Sequence, residues 1–195
     1  MTPKLQLVLA STSPFRKAVL EKLGVPFVTS SPNVDESHHE NESPAELVAR
    51  LSSVKAHAVA SDFPDALIIG SDQVACIDEH ILGKPGNFEN ALKQLQQASG
   101  RTVVFYTGLC VLNTSTGVSH TEVETFNVTF RELTDEQITN YLKAEEPYNC
   151  AGSFKSETMG IALFETLQGN DPNTLIGLPL IRLVRMLEEE GLRVI

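Results

Sequence analysis

The stretch from Thr102 to Arg131 leaves this chain few folds to choose from. Thr102–Leu112 is a long β-rich run, and Asn113–Gly117 carries turn chemistry. Val118–Arg131 then returns with Val123, Thr125, Asn127 and Thr129 on one face and Phe126, Val128 and Phe130 on the other. A hairpin of this length puts an antiparallel pair into whatever sheet forms. Upstream, apolar runs lead almost directly into capped helices, the pattern of parallel β-α units. Together they predict an α/β fold with a mixed sheet.

Leu5–Ala10 reads as a short buried strand. A helix follows with Ser13 as N-cap, Pro14 at its first position and Gly24 as its stop. Phe27–Ser30 reads as a second strand, and the polar, acidic residues 31–42 as a loop. Ser43-Pro44-Ala45-Glu46 is a capping box opening a helix to about Ala60, with Leu47, Leu51, Val54 and Ala58 as its apolar stripe. Leu67–Gly70 is a compact strand that runs into Ser71-Asp72-Gln73, Val74–Ile77 continues extended, and Asp78-Glu79-His80 makes a turn. Asn87 caps a helix to about Ala98, and Thr134 opens a second capping box for a helix to about Lys143. A strand is expected near Gly160–Phe164. The last helix is expected over Pro179–Glu190, striped by Leu180, Leu183, Val184 and Leu187.

At 195 residues one domain is the default. With 15 basic against 25 acidic side chains the net charge is −10, spread along both halves. No basic stripe exists to neutralise a nucleic-acid backbone, so a nucleic-acid surface is not expected. No apolar run approaches the ~20 residues of a membrane-spanning helix. The start is expected to carry no signal peptide, since Leu5–Ala10 is too short for its core. Cys76, Cys110 and Cys150 form no paired motif and point to a reducing cytoplasm.

Four places could carry chemistry. In Leu9-Ala10-Ser11-Thr12-Ser13-Pro14-Phe15-Arg16-Lys17 a strand ends, hydroxyls line the turn and a helix N-terminus follows. That is either a phosphate-type anion site or an ordinary capped helix with exposed cations. Asp72, placed at the end of an apolar strand, suits Mg²⁺ binding or proton abstraction from water, and equally suits a turn. Lys55, on the edge of its helical stripe, and Lys84, between Gly83 and Pro85, are either phosphate ligands or solvated lysines. Asp35-Glu36 offers a metal ligand or an acidic loop. His38-His39-Glu40 lacks zinc-ligand spacing, and Cys150 has no base beside it in sequence.

LASTSPFR at 9–16, VDE at 34–36, RLSSVKA at 50–56, GSDQV at 70–74, GKP at 83–85, AGSF at 151–154 and GLPL at 177–180 together resemble the Maf-like nucleotide pyrophosphatases. The match is in order and covers nearly the whole chain. The resemblance implies a single domain over 1–195, of α/β class, with a mixed, strongly twisted sheet in two lobes around a nucleotide-binding cleft, as in Maf and inosine-triphosphatase-like folds. Such proteins are commonly homodimers. They hydrolyse a nucleoside triphosphate between the α and β phosphates with a divalent cation, Mg²⁺ or Mn²⁺. Carried onto this chain, the resemblance makes Asp72 the general base, and Ser11, Arg16, Lys55 and Lys84 the phosphate-binding residues. Asp72 and Glu36 become the metal ligands.

Members that act on dTTP and UTP usually have arginine where Phe15 stands and threonine where Gln73 stands, and they lack CAGSFKSE at 150–157. This chain is more similar to the 7-methyl-GTP pyrophosphatase subfamily, in which the positions of Phe15, Gln73 and Glu157 govern substrate choice. The chemistry agrees. An N7-methylated guanine carries positive charge that an aromatic face such as Phe15 attracts. A carboxylate such as Glu157 accepts from guanine N1–H and the 2-amino group, and Gln73 can read a base edge. The expected role is removal of modified nucleotides from the pool. The same reaction on dTTP, UTP or another modified nucleotide stays open at this point, as does a nucleotide-binding regulator of septum formation that does not turn substrate over.

Overall fold

A computed structural model describes residues 5–78 and 80–195. The first four residues, part of the start read for a signal peptide, and Glu79 of the expected turn lie outside the described residues. The strands are β1 (Gln6–Ala10), β2 (Val28–Ser30), β3 (Ala66–Ile77), β4 (His80–Leu82), β5 (Thr102–Asn113), β6 (Val118–Phe130) and β7 (Phe164–Gly169). The helices are α1 (Pro14–Glu21), α2 (Pro44–Ala58), α3 (Phe88–Ala98), α4 (Asp135–Glu145), α5 (Pro172–Ile176) and α6 (Leu180–Glu189). The strands join in the order β2-β1-β3-β5-β6-β7, with β4 on β3. β1 runs parallel to β2 and β3, whereas β4 on β3 and β7 on β6 are antiparallel, so the sheet is mixed as expected.

The residues cluster into two compact units. The first takes the chain up to Gln73 together with Thr107–Glu124 and Asp171–Ile195; the second takes Val74–Tyr106 and Thr125–Asn170. In the first unit the sheet is buried on both faces, and the alternation of a strand decides which residue serves which face. Leu7, Leu9, Leu67, Ile69, Leu109 and Val111 pack with Val19 and Leu20 of α1 and with Leu180, Leu183, Met186 and Leu187 of α6. Val8, Ala10, Ala66, Ile68, Cys110 and Leu112 pack with Ala56 of α2 and with Val59 just beyond it. Covered on both sides, β1, β3 and β5 read as almost unbroken apolar runs here.

The second unit is centred on four phenylalanines. Phe154 meets Phe105, Phe130 and Phe164 edge to face at ring-centroid distances of 5.5, 5.5 and 4.8 Å. Phe126, Val128 and Phe130 are the buried face of β6, as its alternation predicts. Cys76 of this unit and Cys110 of the first are fully covered free thiols. Burial pushes Cys76 up to about 11 and raises Cys110 as well.

Several sequence expectations need correction. Residues Met159–Leu163 form a 3₁₀ turn rather than a strand, and β7 begins only at Phe164. A Cβ at Gly160 would sit 2.2 Å from the carbonyl oxygen of Lys155, so the chain doubles back there. A short apolar run does not separate these outcomes by periodicity. α5 was not foreseen, because five residues are too few for a periodic signal. On α2 the buried side is Leu47, Val48, Leu51, Ser52, Lys55 and Ala56, while Val54 and Ala58 are exposed. On α6 Met186, not Val184, completes the buried stripe.

Candidate active site

Asp72 lies inside β3, not at its end, because β3 continues unbroken to Ile77. Counting in steps of two from Ile68 puts Gly70 and Asp72 on the face that α2 covers. The approach of α2 is set by backbone. A Cβ on Gly70 would stand 2.0 Å from the carbonyl oxygen of Ser52, and one on Gly108 2.0 Å from that of Val48. Neither glycine was singled out in the sequence; a glycine inside an apolar strand is the signal that marks such close contact. One turn beyond Ser52 on the same side of α2, Lys55 reaches Asp72.

Lys55 Nζ donates to Asp72 Oδ1 at 2.6 Å and lies 2.6 Å from Glu36 Oε1. Lys55 is only 6% exposed and Asp72 8%, whereas the Glu36 side chain is 59% exposed. A buried ammonium needs such partners, since an uncompensated charge away from water is costly. Glu36 is set in its loop by neighbours. Ser37 N–H donates to Asp35 Oδ1 at 2.9 Å, and Arg50 of α2 donates to Ser37 O at 3.0 Å and to both oxygens of Glu42. Those bonds from Arg50 hold the Glu42 carboxyl down at about 2.

Arg16, in the first turn of α1, interacts electrostatically with the same two carboxylates. Desolvation lowers its pKa, while Asp72 and Glu36 hold it up; a guanidinium stays charged throughout. Its Nε donates to Gly177 O at 2.9 Å. Gly177 closes α5 at φ 103, and a Cβ there would lie 3.2 Å from Arg16 Nε, so the position takes glycine on two counts. Ser11 is buried at the end of β1 and its Oγ accepts from Ser13 N–H at 3.1 Å; Ser13 Oγ in turn caps Arg16 N–H.

Ser71 and Gln73, odd-numbered on β3, serve the opposite face. Ser71 Oγ donates to Gly177 O at 2.8 Å. Gln73 Nε2 donates to Thr107 Oγ1 at 2.9 Å and to Thr174 O at 2.7 Å. The amide nitrogen of Gln73 is therefore anchored. Phe15 is 41% exposed and so is no core aromatic.

Ser11, Phe15, Arg16, Glu36, Lys55, Asp72 and Gln73 thus all belong to the first unit. Lys84 and Glu157 belong to the second, and both are exposed. Glu157 Oε2 accepts from Ser156 Oγ at 3.0 Å. Both act on Cys150, whose thiol is raised by burial first, with Lys155 and Lys84 pulling it down and Glu157 and Glu145 pushing it up. A raised thiol is a poor nucleophile. His38 Nε2 is spent on Glu42 O at 2.7 Å, and no group of three metal-ligating side chains occurs among the described residues. Two carboxylates that already converge on one cation nevertheless fit Mg²⁺, which is commonly held by one or two carboxylates plus phosphate oxygens.

Asp171 is the residue that sequence reasoning missed. Only 2% exposed, it accepts at Oδ1 from Asn173 N–H at 2.8 Å and at Oδ2 from Ile181 N–H at 2.7 Å, capping α5 and α6 at once. The Asp-Pro pair at 171–172 was its signal.

A family model described as Maf-like protein matches residues 6–190. A protein of Colwellia psychrerythraea named 7-methyl-GTP pyrophosphatase is 59% identical over 189 residues, 97% of this chain and 94% of its own. One of the same name from Pseudoalteromonas translucida is 59% identical over 192 residues, 98% of this chain and 95% of its own. Among solved structures, the Staphylococcus aureus Ham1 protein matches 96% of this chain and 100% of its own at 12% identity, with a TM-score of 0.49.

Proposed function

Because this chain belongs to the Maf-like protein family, we propose that it is a nucleoside triphosphate pyrophosphatase that converts 7-methyl-GTP and water into 7-methyl-GMP and pyrophosphate. The observation that carries the reading is the contact of the buried Lys55 with Asp72 and with the more exposed Glu36, two carboxylates that also act electrostatically on Arg16. It gathers two cations for a polyphosphate and two carboxylates for a metal and a proton.

Arg16 and Lys55 bind phosphate oxygens, with Ser11 as a hydroxyl partner, and neutralise the charge that builds on the departing pyrophosphate. Asp72 takes the proton of the attacking water as its oxygen bonds to the α-phosphorus and the bond from that phosphorus to the bridging oxygen breaks. Asp72 and Glu36 would hold a divalent cation, which when bound draws charge from phosphoryl oxygens. Phe15 offers an aromatic face to the cationic base, and Gln73 Oε1 accepts from it. Lys84 and Glu157 carry the phosphate and base roles assigned by the resemblance, and Lys84→Ala and Glu157→Gln test them in the same assay.

That assay compares pyrophosphate release across 7-methyl-GTP, GTP, dTTP and UTP. A cation–π contribution of ~0.5–2 kcal/mol predicts kcat/KM for 7-methyl-GTP about 2- to 30-fold above GTP. Equal values for those two nucleotides would remove the methylated base from the proposal. No pyrophosphate from any of the four would remove the enzyme.

A further inference from the structure

We propose that Lys55 competes with the divalent cation for Asp72 and Glu36, and releases these carboxylates only when a triphosphate offers its ammonium other oxygens. The inference rests on the proposed metal-assisted hydrolysis and adds an order to it: cation and nucleotide bind together, and the cation alone binds poorly.

The geometry makes Lys55 the counter-ion of the very oxygens a metal would use. Its Nζ is 2.6 Å from Asp72 Oδ1 and 2.6 Å from Glu36 Oε1, so one ammonium bridges both groups. The root of the side chain is fixed, since Gly70 and Gly108 seat α2 on the sheet by backbone contact. The stem is not: lysine carries its charge on a four-carbon flexible arm with three donors. Arg16 adds a second positive charge that acts on the same two carboxylates. A dication arriving alone therefore meets like charge beside the buried Lys55 and Asp72, where repulsion is stronger than in open water. A triphosphate changes the balance. It supplies anionic oxygens for Lys55 and Arg16, the ammonium turns to them, and the carboxylates are freed for the cation. The dependence is reciprocal by linkage, and couplings of this kind typically span about 5- to 150-fold.

The test measures Mn²⁺ binding to the full chain without nucleotide, from the electron paramagnetic resonance signal of free Mn²⁺. Lys55→Met keeps the length of the stem and removes its charge; Lys55→Gln removes the charge but keeps a donor for the carboxylates, in case the first variant does not fold. Whichever variant melts cooperatively by circular dichroism is expected to bind Mn²⁺ about tenfold more tightly than the unmodified chain. Lys55→Arg, which keeps the charge, is expected to bind as weakly as the unmodified chain. Adding Asp72→Asn to the neutral variant is expected to abolish the gain. Mn²⁺ affinity in a folded neutral variant equal to or below that of the unmodified chain overturns the proposal, and so does a gain that survives Asp72→Asn. Pyrophosphate release from 7-methyl-GTP by the unmodified chain is measured alongside. A gain in Mn²⁺ binding without any release would reject the proposed activity and leave the competition standing. Release without the gain would reject the competition alone.

Discussion

Neighbours on β3 do unlike work because a strand turns successive side chains to opposite faces. Asp72 looks toward α2 and its lysine; Ser71 and Gln73 look toward the segment that ends in Gly177. Asp72→Asn keeps the shape of the side chain and an acceptor for Lys55, so the fold is expected to survive while the base is lost. Turnover of 7-methyl-GTP should fall about 10²- to 10⁴-fold at saturating metal, the usual worth of a positioned base; near-normal kcat would remove Asp72 from that role. At this scale much was legible. An aspartate following an apolar strand, and two lysines that could be phosphate ligands or solvated, were visible as residue types. Their depth was not. Lys55 read as the edge of a stripe drawn through Val54, whereas Val54 is exposed and Lys55 buried. Hydrophobic periodicity assigns a lysine outward by default, and only the carboxylates brought from elsewhere in the chain turn it inward. Gln73 was read as donor and acceptor alike, and the partners that fix its nitrogen come from Thr107 and Thr174, far along the sequence.

At the scale of elements, the caps were the clearest signals. Ser43 and Thr134 form both halves of their capping boxes, and Ser13 and Asn87, read as N-caps, accept from the amides of Arg16 and Asn90. The hairpin was legible for the same reason, being written in local turn chemistry and alternation. What escaped was short or borrowed. α5 has five residues, and the free amide of Ile181 in α6 is satisfied by Asp171 from across the preceding loop rather than by its own N-cap, Pro179. Through Gly177 this segment also anchors Arg16 and Ser71. Asp171→Ala therefore leaves two helix starts without an acceptor. At about 0.5–2 kcal/mol for each lost cap, a loss of about 1–4 kcal/mol in unfolding free energy is expected by urea denaturation. KM for the nucleotide should rise with it, since the backbone that orients Arg16 loosens. A loss within about 0.5 kcal/mol, the size of an ordinary surface substitution, would show that the cap is dispensable.

The net charge of −10 belongs to the whole molecule, while the cations that matter are a handful held in one place. Long-range attraction cannot be what brings a polyanion to this chain; short-range contacts with Arg16 and Lys55 must be. Salt screens the first kind of interaction far more than the second, with a Debye length of about 10 Å at 0.1 M. Raising KCl from about 0.02 to 0.2 M should accordingly leave kcat/KM for the nucleotide unchanged or somewhat higher. A fall of tenfold or more, of the sort that counterion release produces in polyanion binders, would contradict this reading of the charge.

The covered cysteines lend the chain a use in the laboratory. Cys76 and Cys110 sit one in each compact unit, at 2% and 0% exposure, with thiols that burial keeps protonated at neutral pH. Neither meets an alkylating reagent until its own surroundings open. Mass spectrometry of peptides after timed alkylation would thus clock the two units separately, from native residues and with no engineered probe.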